Sequence, residues 1–462
     1  MISTLLAVHG LLQSGSTEVT VYNQGLGFIK EIRNVKLDKG TQNVVVEDVA
    51  QLIDATSVGF KCLSNPGSVS ILEQNYQYDL ISPEAILAKS VGKRVRFTRS
   101  VGNQKESIEG VLLSSPTAVV NTGNGSEHQY NGLVIRTDDG RIILSPQGEI
   151  DVLELPEGLI SKPSLLWQVD SAEGQDAKME LSYLTQGMSW SANYVFTLNE
   201  SNVGDLQGWV TLDNRCGVSF KDATLKLLAG EVNVVREQPQ FMDGEAALPP
   251  TKMASFKGQM TESSLFEYHL YTLNRPATVK DKESKQLGLL EGFNVPIKKI
   301  LSFDGYLGAG NVADQAAKVQ VKFVNNEKSH LGMPMPAGKV RLYQRDAKGS
   351  VQFLGEDQIQ HTPRDEKLSL EVGKSFDVRG SRKRTAYSKV SKNSDRSTYE
   401  IQVRNRKKEA TTVHLYEHQG NDWKVVSKSQ DYVKDDANTM VFEVRLAPGE
   451  VKTVTYTIET KW

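Results

Sequence analysis

Three strand-like runs in this chain end on an asparagine: Val210-x-Leu212-x-Asn214, Val321-x-Phe323-x-Asn325 and Ile401-x-Val403-x-Asn405. After each, the chain crosses a polar or Gly/Pro-rich stretch and the alternation restarts, as Leu225-x-Leu227, Val340-x-Leu342 and Val413-x-Leu415. Side chains two apart on an extended chain share a face, so these runs read as half-buried antiparallel strands joined by turns. Asn is expected there because its short side chain tolerates the unusual backbone angles of a turn. The pattern leaves room for little except sheet packed on sheet. The expected class is mainly β, with several antiparallel β-sandwich (Ig-like) modules and an inserted small Sm/SH3-like barrel carrying one short helix.

A chain of 462 residues is too long for one core at roughly 100–200 residues per domain. The expected divisions are a leader or degraded signal segment at 1–16, an N-terminal sheet segment at 17–81, the small barrel at 82–156 and a first sandwich at 157–235. A linker or long loop follows at 236–264, then a second sandwich at 265–378 and the final sandwich strands at 379–462. Residues 1–16 contain an apolar stretch of signal-peptide length, but His9 interrupts it and no Lys or Arg precedes it. No other segment approaches the length needed to span a membrane.

The helix is expected after Ser82, where Ser-Pro-Glu supplies an N-cap, a proline at the first helical position and an acid in the first turn, with Gly92 as the stop. Five short strand candidates follow, from Val95 to Leu155. Asp138-Asp139-Gly140 between two of them signals a tight hairpin. Beyond the linker, the run from Phe266 to Thr272 reads as one strand with Phe266, Tyr268, Leu270 and Thr272 on a single face.

Chemistry is sparse. The 54 basic and 56 acidic side chains nearly cancel, so no global field draws the protein to nucleic acid or an anionic membrane. Cys62 and Cys216 lack CxxC spacing, which gives no zinc site and no disulfide framework and leaves a single disulfide open. Gly187-Met188-Ser189-Trp190-Ser191 begins like a nucleophile elbow but lacks the second glycine and runs into a strand. His414 and His418 have the spacing of helical zinc ligands, yet they lie on a strand. The densest acid and His collection is Asp357, His361, Asp365 and Glu366, where a metal or acid/base site would need help from other strands. The concentrated basic stretch holds Arg379, Arg382, Lys383 and Arg384 and runs on to Lys389 and Lys392. Clustered cations of this kind suit phosphate contact in a loop or hairpin. Lys93, Arg94, Arg96 and Arg99 on the small barrel lack the aromatic platform of an RNA binder. Tyr76, Tyr78, Trp190, Tyr194, Phe266, Tyr268 and Tyr271, at period two, read as sheet core rather than a carbohydrate platform.

The stretches VYNQGLGFI (21–29), ILEQNYQYDL (71–80), SWSANYVFTL (189–198) and LGMPMPAGKVRLY (331–343) carry a family resemblance. So do residues 267–290 and 355–378. Through them nearly the whole chain resembles the bacterial domain of unknown function 4139 family. The resemblance implies a mostly β, multi-module bacterial protein, often exported to the periplasm or cell envelope, and supplies no catalytic residues.

The expectation is a non-enzymatic binding, envelope or assembly scaffold that uses its loops and sheet edges, with a protein partner and no cofactor or metal. The alternatives are a metal-assisted hydrolase at 356–366 and a nucleic-acid or anionic-surface binder through a basic loop at 379–392.

Overall fold

β-Branched and aromatic residues at alternate positions make nearly every described segment a strand, and turns at Asn, Asp and Gly reverse the chain between them. The computed structural model describes residues 13–101, 104–114, 117–122, 125–130, 132–146, 148–199, 201–233, 259–308, 310–346, 348–420 and 422–462. The leader expected at 1–16 lies mostly outside the described residues, and its last four residues open the strand Gln13–Tyr22. The linker expected at 236–264 likewise lies outside them up to residue 258, while 260–264 belong to the strand Met260–Leu265.

An eight-stranded sheet runs Met260–Leu265, Tyr268–Leu273, Phe220–Ala229, Gln13–Tyr22, Leu26–Leu37, Gln175–Gln186 and Gly59–Cys62, with Ala277–Val279 added against Phe220–Ala229. Its central pair is parallel and joins distant parts of the chain, Val19 opposite Leu225. A three-stranded sheet, Gly40–Glu47, Ser164–Ser171 and Val69–Gln77, contributes Val44, Leu165 and Trp167 to the same core. A five-stranded sheet, Glu283–Pro296, Val203–Asn214, Met188–Leu198, Gly338–Arg345 and Val351–Ile359, packs against the eight-stranded one. There the Trp190 indole donates to Leu228 O at 3.3 Å and stands edge-on to Tyr271.

The remaining large sheet has nine strands: Asp422–Lys428, Val451–Lys461, Ser394–Asn405, Lys367–Ser391, Val312–Val324, Lys298–Tyr306, Thr411–His418, Thr439–Leu446 and Val433–Lys434. It curls until its ends meet, where the Trp423 indole donates to Ala437 O at 2.9 Å. Two of its strands serve two cores. Val321, Phe323, Leu368 and Leu370 pack into the first core, whereas Ala317 and Val378, farther along the same strands, pack into the second. The division expected after residue 378 therefore falls inside the continuous strand Lys367–Ser391.

Residues 82–156 carry their own sheet, ordered Ile142–Leu144, Val134–Thr137, Gln104–Leu112, Arg94–Val101 and Glu149–Val152, over a core of Val95, Phe97, Leu112, Leu133 and Ile135. The helix is Pro83–Lys89, capped by Ser82 Oγ accepting from Ala85 N at 3.0 Å. Gly140 takes φ +85° in the expected hairpin turn. A further hairpin, Thr117–Thr122 with Gly125–Tyr130, was not evident from the sequence pattern.

The three strand-ending asparagines hold their place for a different reason from the one expected. None adopts a positive φ; each is fully buried and uses its carboxamide as a bracket. Asn214 donates to Val218 O and Lys280 O, Asn325 to Met333 O and Pro363 O, and Asn405 to Glu409 O and Ala447 O, all at 2.9–3.1 Å. Each side-chain oxygen accepts a backbone N–H from the following loop, that of Cys216, Gly332 or Lys407. One carboxamide thereby satisfies three buried backbone groups where two loops meet a strand end.

The run from Phe266 is also not one strand. Leu265 pairs with Tyr268, so Phe266 and Glu267 form a hairpin turn, and the buried face is Tyr271 and Leu273. Alternation that continues through a two-residue turn looks unbroken in sequence, although the chain has reversed.

Candidate functional site

Most of the singled-out polar residues are engaged in structural contacts. The basic stretch is half of a β-hairpin rather than a loop, Arg379–Ser391 lying antiparallel to Ser394–Arg404. Arg379 bonds Asp314 at 2.7 Å, and Lys383 bonds Glu400 at 2.7 Å. The Arg384 guanidinium lies 5.0 Å from the Tyr387 ring centroid.

Arg382 is buried. Its guanidinium is 2.7 Å from Glu417 Oε2, the Tyr456 hydroxyl donates to that same oxygen at 2.5 Å, and the Tyr399 ring lies 4.0 Å from the guanidinium carbon. Burial works against the Arg382 charge, but the Glu417 carboxylate and the Tyr456 hydroxyl outweigh it and raise its pKa. Burial, then the Glu417 charge, pushes the Tyr456 phenol far above its ordinary value. With 4% and 2% of their side chains exposed, Arg382 and Glu417 form an internal pair inaccessible to an anionic ligand.

The acid and His segment disperses. Asp357 accepts from the backbone N–H of Glu371 at 2.7 Å, stitching the five-stranded sheet to the strand that crosses it. His361 Nδ1 accepts from Ala337 N at 3.2 Å, and burial, with a smaller contribution from His269, lowers its pKa despite the charge of Glu231. Asp365 sits in a left-handed turn at φ +67° and pairs with Arg364, while Glu366 offers its backbone carbonyl to Asn325 N. Among the described residues no group of three or more His, Cys, Asp or Glu side chains could hold a metal ion.

His414 and His418 lie on the strand Thr411–His418. His418 bridges Thr439 Oγ1 at 3.1 Å and Asp304 at 3.5 Å under the Tyr306 ring. On the small module, Arg94 pairs with Asp138 and Glu109, Arg96 with Glu109, and Arg99 with Glu106. Cys62 and Cys216 are buried free thiols. Of the aromatic set, Trp190, Tyr194 and Tyr271 are core, whereas Tyr78 and Phe266 are exposed.

Two places present chemistry outward. The first is a half-open cleft of about 340 Å³ beside the loop 330–333. Leu289, Leu290, Leu331 and Met333 line it, Phe293 and His330 stand with it, and Glu291 adds a carboxylate that accepts from the Gln207 amide. The loop forming one wall is unusually well anchored. The carbonyls of Met333, Pro334, Met335 and Pro336 accept, in turn, from the Asn325 carboxamide, the Tyr271 hydroxyl, Thr362 N and the Tyr194 hydroxyl, at 2.8–2.9 Å. Burial raises the pKa of both phenols, so they stay protonated donors. Pro334 and Pro336 have no N–H with which to extend a ladder, so backbone pairing is confined to Met335 with Thr362, and side chains take the other three carbonyls.

The second is the edge strand Val351–Ile359, the last of the five-stranded sheet. Val351, Gln352, Phe353 and Leu354 are all exposed, Phe353 by 57%. Phe353 packs edge-on against Tyr343 at 5.5 Å. Neither the phenol tethers nor this edge was found from sequence; the available signal was an uncharged apolar run between Lys348 and Glu356.

No curated protein matches the chain. A family model described as domain of unknown function (DUF4139) matches residues 179–462, the part that contains the cleft, the edge strand and all three bracketing asparagines. The chain therefore belongs to that family of unknown function.

Proposed function

We propose that this protein is a non-enzymatic binding scaffold that takes up an extended segment of a partner polypeptide along Val351–Leu354, the open stretch of the edge strand Val351–Ile359. The contrast between two open edges in the chain supports this reading. Beyond Arg382 the strand Lys367–Ser391 loses its neighbour on one side, and that free edge carries Lys383, Arg384 and Lys389. Charges of this kind keep another chain from pairing there. The free edge at Val351–Leu354 carries two aliphatic side chains and a phenylalanine and no charge. A row of backbone donors and acceptors flanked by apolar side chains suits the addition of one more strand, with backbone bonds giving affinity and alternate side chains giving selectivity.

Ig-like sandwich modules and an Sm-like small barrel fit this framework. The strand order of residues 94–152, with the last strand beside the first, supports the small-barrel reading. The hydrolase and anion-binding readings have less support, because Asp357, Arg379, Arg382 and Lys383 are already engaged with groups of the protein itself.

The test is a photoreactive residue at position 352 in the native host. Polypeptide adducts are expected, and Phe353→Lys should abolish them. Absence of polypeptide adducts, or adducts indifferent to Phe353→Lys, overturns the reading.

A further inference from the structure

The hairpin turn at Leu265-Phe266-Glu267-Tyr268 places its aromatic residue where a hairpin ordinarily places glycine. Phe266 has φ +56°, an unfavourable backbone region for a bulky side chain, and its ring is 86% exposed. Two-residue hairpin loops normally use Gly, Asn or Asp at positive φ. A phenylalanine there carries backbone strain without the compensation of burial. The Tyr268 ring stands 6.5 Å away and props it, and Leu265 beside it is exposed as well. The tip is thus an apolar knob.

The same chain carries a hole. The cleft at Leu289, Leu290, Leu331 and Met333 is about 340 Å³, near the lower end of the roughly 300–1,000 Å³ of small-ligand sites, and suits a single aromatic side chain. It stays open because the tethered carbonyls of Met333–Pro336 fix its wall. Phe266 does not fill the cleft of its own chain. It lies five residues from Tyr271, the residue of its hairpin that reaches the loop at Pro334, and its ring remains exposed. Charges match across the two surfaces. Among the described residues Glu267 beside the knob makes no ion pair, and neither does the exposed Lys328, two residues before His330 at the cleft, whereas Glu327 is already paired with Arg364.

We propose that Phe266 of one copy of this chain seats in the Leu289–Met333 cleft of a second copy, with Glu267 facing Lys328 and His330. Knob and hole are different surfaces, so the contact is head to tail and repeats into a ring or an open filament. This inference stands apart from the edge-strand reading and uses none of its residues.

Sedimentation of the full chain over a range of concentrations tests it. The wild type should show concentration-dependent mass above the monomer. Phe266→Gly, which glycine's freedom at positive φ lets fold without strain, should be monomeric. Phe293→Asp, at a site 45% exposed beside the cleft, should be monomeric too. An equal mixture of the two variants should yield one-to-one dimers, because one retains the cleft and the other the knob. A monomeric wild type, variants that associate like the wild type, or a mixture that stays monomeric overturns the proposal. So does association abolished by Phe353→Lys but not by Phe266→Gly, which would place self-contact at the sheet edge. Binding of the wild type to neutral lipid vesicles that Phe266→Gly removes, without self-association, also overturns it.

Discussion

Gly305 passes so close to Glu417 that a Cβ atom on it would lie 2.1 Å from Oε1 and 2.5 Å from Arg382 Nε. Sequence gives no hint that this glycine matters, since it takes no positive φ. Its missing side chain is the space in which the buried Arg382–Glu417 pair sits.

Gly305→Ala should therefore destabilise the protein by about 3 kcal/mol, between the cost of overpacking and that of breaking a buried ion pair. Glu417→Gln, which leaves Arg382 buried without its counter-charge, should cost a similar amount. Replacing Arg382 and Glu417 together by Met and Leu should restore much of the loss. Urea unfolding of the four proteins measures this. An unchanged midpoint for Gly305→Ala would mean that the pair yields easily.

Asn325→Ala removes one carboxamide and leaves Met333 O, Pro363 O and Gly332 N unpaired, at a cost of about 2–4 kcal/mol. Asn325→Asp keeps the shape but loses both donors and buries a charge, so it should be at least as damaging. Corresponding changes at Asn214 and Asn405 should behave alike, because the bracket has the same form. An Asp variant more stable than the Ala variant would show that shape, not donation, is what the site uses.

Stability should decline in weak acid. Burial lowers the pKa of both His361 and His414 from 6.5 in the folded state. The unfolded chain then binds protons that the folded chain refuses, so stability is full above pH 6.5 and falls as pH drops through the interval below it. The melting temperature should fall as the pH drops below about 6.5, and the double variant His361→Gln/His414→Gln should flatten that slope. A slope unaltered by the double change would assign the loss to other groups.

Burial pushes the Cys216 thiol up to about 11, and Cys62 is equally enclosed. Neither should react with a thiol reagent near pH 8 in the native state, whereas both should react once urea unfolds the chain. Rapid native labelling of Cys216 would mean that the loop after Asn214 opens readily.

What was legible in sequence was local and periodic. The alternation before Asn214, Asn325 and Asn405 located strands correctly, and Ser82-Pro83-Glu84 located the helix. What was not legible depended on partners distant in sequence. Arg379, Arg382 and Lys383 read as a binding cluster because Asp314, Glu417 and Glu400, which engage them, lie 65, 35 and 17 positions away. The asparagines were placed rightly but for the wrong reason, since a carboxamide spanning to Lys280, Pro363 or Ala447 leaves no periodic trace. Phe266 was assigned to the core because its strand pattern survives the turn that exposes it.

The strand Lys367–Ser391 lends Leu368 and Leu370 to one core and Val378 to the other. A fragment ending between those residues would complete the first interior but divide the second, cutting Leu301, Phe303 and Ala317 off from Val378 and the residues that follow it. The second half is then heritable only with the first: duplication or shuffling of it alone would be lost, and mechanical tension on one end would be felt directly at the other.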